Sequence, residues 1–448
     1  MYRDLRGTQQ ANVPSHLADL PLKFWVAVVL TGIASGLGAI AMMTTLRTVQ
    51  HMAFHYHTGE FSSAVARVSD SRIVLMLVLG GLVTGVGLWL LGRYLGGTGG
   101  EPTAVVWTHT GNLSLFRTLL SSTLSEITVG LGGSIGREAA PQRLGAASGS
   151  ALSQRIGVSK KHGYILIACG AGAGLAAVYN SPLAGALFAT ELYLGTISLT
   201  LILPALLTSG IATAVSWLVL SSHAIYQVPQ LPHPTISLLL FAVVLGPVIG
   251  IISAGYVKLI GWASDRRPKN WPLLVEPLIL FAALGLIAIK YPLVLGNGVD
   301  LAQFAFTGHG VIWVFAALAI LKPLATAGTL RSGATGGLFT PTLSLGAVLG
   351  GFLGRGWALL WPGSPDPSYA VIAAAAMMGA AMEAPATAIV FVLELTHNIQ
   401  AIMVPMLIAV VGATLTARHI NLLSIYSARL SPTPVSAEHQ DPGPGAPH

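Results

Sequence analysis

The chain has 448 residues, of which 53% are hydrophobic and only 9% charged. Long apolar runs with so little charge read as membrane spans, which sets aside a soluble multidomain enzyme. The net charge of +7 has no basic stripe interleaved with aromatics behind it, so it does not point to nucleic acid. Its clusters, such as Arg155, Lys160 and Lys161 or Arg266, Arg267 and Lys269, fall between apolar runs, where basic residues mark cytoplasmic loops.

Residues 1–22 are polar and lack the apolar core of a signal peptide, which predicts a cytoplasmic N-terminal segment and a retained first span. Spans are predicted at 24–43 and 73–95, joined by a polar connector and followed by a glycine-rich loop at 96–100 that contains Thr98. The run 115–131 is shorter and amphipathic. The segments 139–150, 164–178 and 183–194 are too short to cross a bilayer, which needs about 20 residues. Residues 199–220 are long enough.

A Pro-rich linker at 227–234 separates a first membrane repeat, 23–226, from a second, 227–430. There the pattern starts over. Elements are predicted at 236–263, 278–289, 311–327, 338–350, 370–382, 385–395 and 402–417, with a Gly-Asn-Gly loop at 296–298 and a last short element at 422–430. The tail 431–448 is rich in Pro and Gly and reads as disordered. Non-helical backbone at membrane depth survives only under cover of protein or a water-filled cavity. The fold class is therefore an all-α integral membrane bundle of many tilted and partial helices.

The two halves share more than rhythm. At an offset of 203, Pro182, Phe188, Glu191 and Leu192 meet Pro385, Phe391, Glu394 and Leu395. At an offset of 200, Gly133 and Gly136 meet Gly333 and Gly336, and Pro141 meets Pro341. Ordered matches at nearly one offset indicate duplication, and the broken helices favour inverted halves meeting near the midplane.

Two stretches carry the chemistry: Gly133-Ser-Ile-Gly-Arg-Glu-Ala-Ala-Pro141 and Gly333-Ala-Thr-Gly-Gly-Leu-Phe-Thr-Pro341. Glycines followed by an early proline mark a loop that opens a helix. Helix N-termini carry unpaired N–H groups and partial positive charge, so two of them aimed at one point make a site for a small anion. Glu138 sits in one such start. A carboxylate there is a tethered anion that competes with a free one, and protonation releases it. Glu191 and Glu394, paired by the repeat inside apolar runs, are expected to bond helix-end N–H groups. Glu383 is placed at a helix start, where a carboxylate suits the dipole. Lys322 and Arg331 flank the second glycine loop and are expected to shape its potential. Neither a nucleophile–base pair nor a metal-ligand spacing stands out, so the expectation is a transporter without catalytic residues, metal or cofactor.

These motifs resemble those of the CLC family of chloride channels and chloride/proton antiporters, most closely its bacterial ClcB-type branch. Gly136-Arg-Glu-Ala-Ala140 is similar to the family's G-R-E-G-P, Gly337-Leu-Phe-Thr-Pro341 to its G-x-F-x-P, and the run 173–185 to a long stretch of the family sequence. The resemblance implies Glu138 as the gating glutamate and the amides of Leu338 and Phe339 as ligands of the central anion. It implies Tyr426 as a coordinating hydroxyl. Arg137, Gly337 and Thr98 complete the candidate anion-binding set. It also implies two inverted repeats and a homodimer with one pore per subunit. Helices around 183–220 and 385–420 would form the dimer face. The partners implied are chloride, protons and membrane lipid, and the location is a bacterial inner membrane crossed many times. Three departures bear on mechanism. The family's G-S-G-I-P loop reads Gly97-Thr-Gly-Gly-Glu-Pro102, leaving Thr98 to stand in for a serine. The glycine after Glu138 is Ala139. The position of the internal proton-relay glutamate of many antiporters is Leu192. A passive channel, a proton-coupled antiporter and a carrier for nitrate, fluoride or sulfate all remain open on these residues.

Overall fold

The computed structural model describes residues 20–229, 231, 233–397, 402–421 and 423–430. The tail at 431–448, and all but the end of the segment 1–22, lie outside the described residues. The first half contains α1 (Leu22–Phe54), α2 (Phe61–Val65), α3 (Asp70–Leu95), α4 (Pro102–Thr108), α5 (Leu115–Gly130), α6 (Ala139–Ile156), α7 (Lys160–Tyr179), α8 (Pro182–Leu187) and α9 (Leu199–Ser216). A π-turn, Phe188–Tyr193, continues α8. The second half contains α10 (Ile236–Asp265), α11 (Pro272–Lys290), α12 (Val299–Thr307), α13 (Ile312–Arg331), α14 (Phe339–Leu360), α15 (Asp366–Met382), α16 (Pro385–Thr396) and α17 (Met403–Ile420).

Helix ends follow local chemistry. Ser69, Ser159 and Thr235 cap α3, α7 and α10 by accepting a backbone N–H from Arg72, His162 and Leu238. Prolines open α4, α8, α11 and α16, where a missing N–H costs nothing. Gly96 and Gly157 close α3 and α6 in the left-handed region.

Nine helices among the described residues are long and apolar enough to cross a membrane. Three of them correct the expected lengths: α7, α11 and α14 were expected as short pieces but run 20, 19 and 22 residues. The expectation counted apolar residues only. α7 opens with the charged turn Lys160-Lys161-His162 ahead of the apolar run 164–178, and α11 runs through Pro277 ahead of the run 278–289. The connector before α3 contains α2, and α4 and α12 were missed because each has fewer than ten residues. The last predicted element reduces to a 3-10 turn, Ser427–Arg429.

The halves match helix for helix: α1 with α10, α3 with α11, and α4 through α9 with α12 through α17. Packing repeats as well. α6 lies on α7 as α14 lies on α15, and α1 lies on α9 as α10 lies on α17. Where an element touches its own counterpart, the two-fold relation between the halves passes between them. α3 packs on α11, and α8 packs on α16. The interior is α7 and α15, rich in Ala and Gly and apolar all round, as a helix surrounded by protein must be.

Candidate anion site

The two glycine stretches meet on that same relation. Gly136 N–H donates to the Gly337 carbonyl at 2.7 Å and Gly337 N–H returns the bond to Gly136 at 2.8 Å, forming one antiparallel bridge. Behind it, the first loop is anchored by the Lys322 ammonium. This donates to Ser134 Oγ at 3.0 Å, Val294 O at 3.1 Å and Gly296 O at 3.0 Å, using all three of its protons. Ser125 on α5 anchors the second loop by donating to the Thr335 carbonyl.

Glu138 stands at the N-cap of α6 but does not cap its own helix. Its carboxylate crosses the bridge to the start of α14. Oε1 accepts the Phe339 N–H at 2.8 Å, and Oε2 accepts the Thr340 hydroxyl at 3.2 Å and the Tyr179 hydroxyl at 3.0 Å. The Tyr179 and Thr340 hydroxyls also bond each other, so one of their two protons is shared between that contact and the carboxylate. The carboxylate is fully buried on the end of a 22-residue helix, where backbone N–H groups and the helix dipole favour negative charge. A Cβ at Gly136 or Gly337 would overlap the Glu138 carboxylate. These two glycines therefore make room for the Glu138 side chain.

Around this centre runs an aromatic wall. Phe339 meets Phe391 edge to face at 4.4 Å and Phe188 at 5.5 Å. Tyr179 meets Phe391 at 5.4 Å, and Tyr426 meets Phe188 at 6.0 Å. Phe188 and Phe391, equivalent in the repeat, thus flank Phe339 from the two halves.

The structure brings Glu138, Phe339, Leu338, Gly337 and Tyr426 into one neighbourhood. Gly337 contributes space and a bridge to Gly136; its amide is already committed there. Arg137 forms no ion pair with Glu138 among the described residues; its guanidinium lies 5.5 Å from the Tyr179 ring centre. Thr98 is tied to α5 and α6 through its carbonyl, which accepts from Ser121 Oγ at 2.8 Å and from Arg143 at 2.9 Å. Arg331 pairs with Glu276 at 3.2 Å on a partly exposed face, and Lys322 serves the first glycine loop. Glu383 takes the left-handed C-cap position of α15, two residues before α16 opens at Pro385. Tyr179 and Thr340, which bond the Glu138 carboxylate, do not stand out in the sequence. The available signals were a tyrosine ending a run of small residues and a hydroxyl in the first turn after Gly337-Leu-Phe.

Glu191 and Glu394 do what their pairing predicted. Glu191 accepts the N–H groups of Ala386 and Thr387 at 3.1 and 2.7 Å, opening α16. Glu394 accepts those of Leu183 and Ala184 at 3.0 and 2.8 Å, opening α8. Donors and acceptors are exchanged between the halves at the single offset of 203.

Fold and site together define a class: a multi-pass membrane protein whose two related halves converge on a helix end that holds an anion. The family described as voltage gated chloride channel matches residues 99–418. A ClcB-like chloride channel protein of Ralstonia nicotianae is 32% identical over 415 residues, covering 90% of this chain and 95% of that protein. The ClC-type chloride channel ClcB of Escherichia coli is 28% identical over 408 residues, covering 89% and 96%. Among solved structures, a slow cyanobacterial chloride/proton antiporter superposes with a TM-score of 0.80 at 21% identity, covering 91% of this chain and 97% of that one. A CLC-type fluoride/proton antiporter gives 0.75 at 22%, with the same coverage. The chain belongs to the voltage-gated chloride channel family.

Proposed function

We propose that the protein carries chloride across a bacterial inner membrane and that Glu138 is its gate. One observation carries the reading: the Glu138 carboxylate sits on the Phe339 amide, the place a free anion of the same charge would take. Chloride and the carboxylate then compete for one helix end. When Glu138 takes a proton it loses its charge and its hold on that end, and the path opens. The amides of Leu338 and Phe339 and the hydroxyl of Tyr426 bind chloride in the open state, within the neighbourhood of Arg137, Gly337 and Thr98. The protein works as a homodimer in lipid, with one pore per subunit and no catalysis.

A second reading, exchange of chloride for protons, is favoured because the gate is itself a proton acceptor. Two of the solved structures that superpose are described as proton antiporters. Purified protein in liposomes with a preset chloride gradient tests both readings. Chloride flux is expected to rise with acidity, and Glu138→Gln is expected to keep the flux and lose that dependence. Protons driven uphill by chloride indicate exchange, and their absence indicates a channel. Unchanged pH dependence in Glu138→Gln removes Glu138 from the gate.

A further inference from the structure

Glu126 is the acid that the gate leaves unexplained. It lies on α5, is fully buried, and neither carboxyl oxygen has a hydrogen-bond partner. An ionised carboxylate in that condition is far more costly than a neutral one. Its helix runs beside the site. Ser122, one turn earlier on the same face, donates to the Ala140 carbonyl in the first turn of α6 at 3.3 Å. Ser125, the residue before it, donates to the loop that carries Gly337. The charged groups that act on Glu126 are Arg137 and Glu138, both at the entry to α6; none on α1 or α3, the other helices packed on α5, contributes appreciably. No ion pair joins Glu126 to Arg137 among the described residues.

We propose that Glu126 and Glu138 form a coupled carboxyl pair that holds one proton between them, Glu126 being its resting site. While Glu138 is ionised on the Phe339 amide, Glu126 carries the proton and the pair has a single negative charge. When the proton passes to Glu138, the gate becomes neutral and leaves. Glu126 is then the ionised member, with Arg137 as its facing cation. The O–H bond broken at Glu126 is matched by one formed at Glu138, so the total charge does not change. Two interacting carboxyls titrate as a unit, and removing one changes the curve of the other. This also gives the chain a second proton-holding acid, although the family's relay position is Leu192. The proposal rests on Glu138 being the gate.

The test has two arms. In infrared difference spectra of purified protein at neutral pH, a protonated-carboxyl stretch is expected in wild type and in Glu138→Gln, and its loss is expected in Glu126→Gln. This arm needs no transport and stands even if chloride is not the substrate. In liposomes, Glu126→Gln is expected to make chloride flux steeply dependent on pH, falling about tenfold per unit above its midpoint because Glu138 must draw each proton from bulk water. Wild type should fall more gently. The double variant Glu126→Gln/Glu138→Gln should match Glu138→Gln. Glutamine keeps the shape and neutrality of the resting side chain, so folding is expected to be retained, with elution volume as the check. A carboxyl band that survives in Glu126→Gln overturns the proposal, as does a pH profile that superimposes on wild type.

Discussion

At the scale of residues, the Glu138 carboxylate is held by three donors, two of which can be removed by mutation. The Phe339 amide is backbone, but the hydroxyls of Tyr179 and Thr340 are side chains. A hydrogen bond to a charged acceptor contributes about 1.5–3 kcal/mol. Because Thr340 can turn fully to the carboxylate once Tyr179 no longer bonds it, the loss in Tyr179→Phe should fall at the low end. That corresponds to roughly tenfold weaker competition by Glu138. Chloride flux through Tyr179→Phe should therefore rise about tenfold at neutral pH and converge on wild type in acid, where the gate is already neutral. Efflux measured across a pH series checks this. Lower flux at every pH would instead make Tyr179 a chloride ligand. The helix starts at Glu138 and Phe339 are legible in the sequence because each follows a glycine loop and precedes a proline, and that punctuation is local; the Phe339 amide itself is singled out by the family resemblance. Tyr179 and Thr340 are not legible. They stand 161 residues apart and meet only because the two halves fold onto each other.

At the scale of elements, the glycine loops act through their shape. Gly337 is absent from the positive-φ residues, so its backbone tolerates a side chain. What it does not tolerate is a Cβ beside the Glu138 carboxylate. Gly337→Ala should therefore lower thermal stability by about 1–3 kcal/mol through overpacking against the gate. Glu138→Ala in the same chain should recover most of the loss, since it removes the group that is struck. A double-mutant cycle in detergent, followed by melting temperature, measures that coupling. Additive losses would mean that the bridge itself requires glycine. The same scale shows why helix lengths were misjudged. Lys160, Lys161 and Pro277 interrupt an apolar run without interrupting a helix. The caps of Glu191 and Glu394 were readable, because an acid repeated at one offset inside two apolar runs needs a donor, and a helix end beginning at proline supplies two.

At the scale of the whole molecule, duplication explains why the site lies where it does. The contacts of an element with its own counterpart, α3 on α11 and α8 on α16, and the bridge between Gly136 and Gly337, fall on one two-fold relation. The order of the repeat was legible from paired residues, but the pairing of α4 with α12 was not, because elements so short leave no periodic signal. The residues that hold the Glu138 carboxylate, Tyr179, Phe339 and Thr340, belong to the same chain as Glu138. The outward faces of α9 and α17 expose Leu199, Leu203 and Leu207, and Val404, Val411 and Leu415, a surface fit for a second subunit as well as for lipid. A homodimer joined there would contain two complete gates with no residue shared between them. Reconstituting mixtures of wild type and Glu138→Gln subunits tests that independence. The pH-dependent part of the chloride flux should then fall in direct proportion to the wild-type fraction, whether the subunits assort or not. If each gate instead needed its neighbour, mixed dimers would lose the dependence, and the curve would follow the square of that fraction.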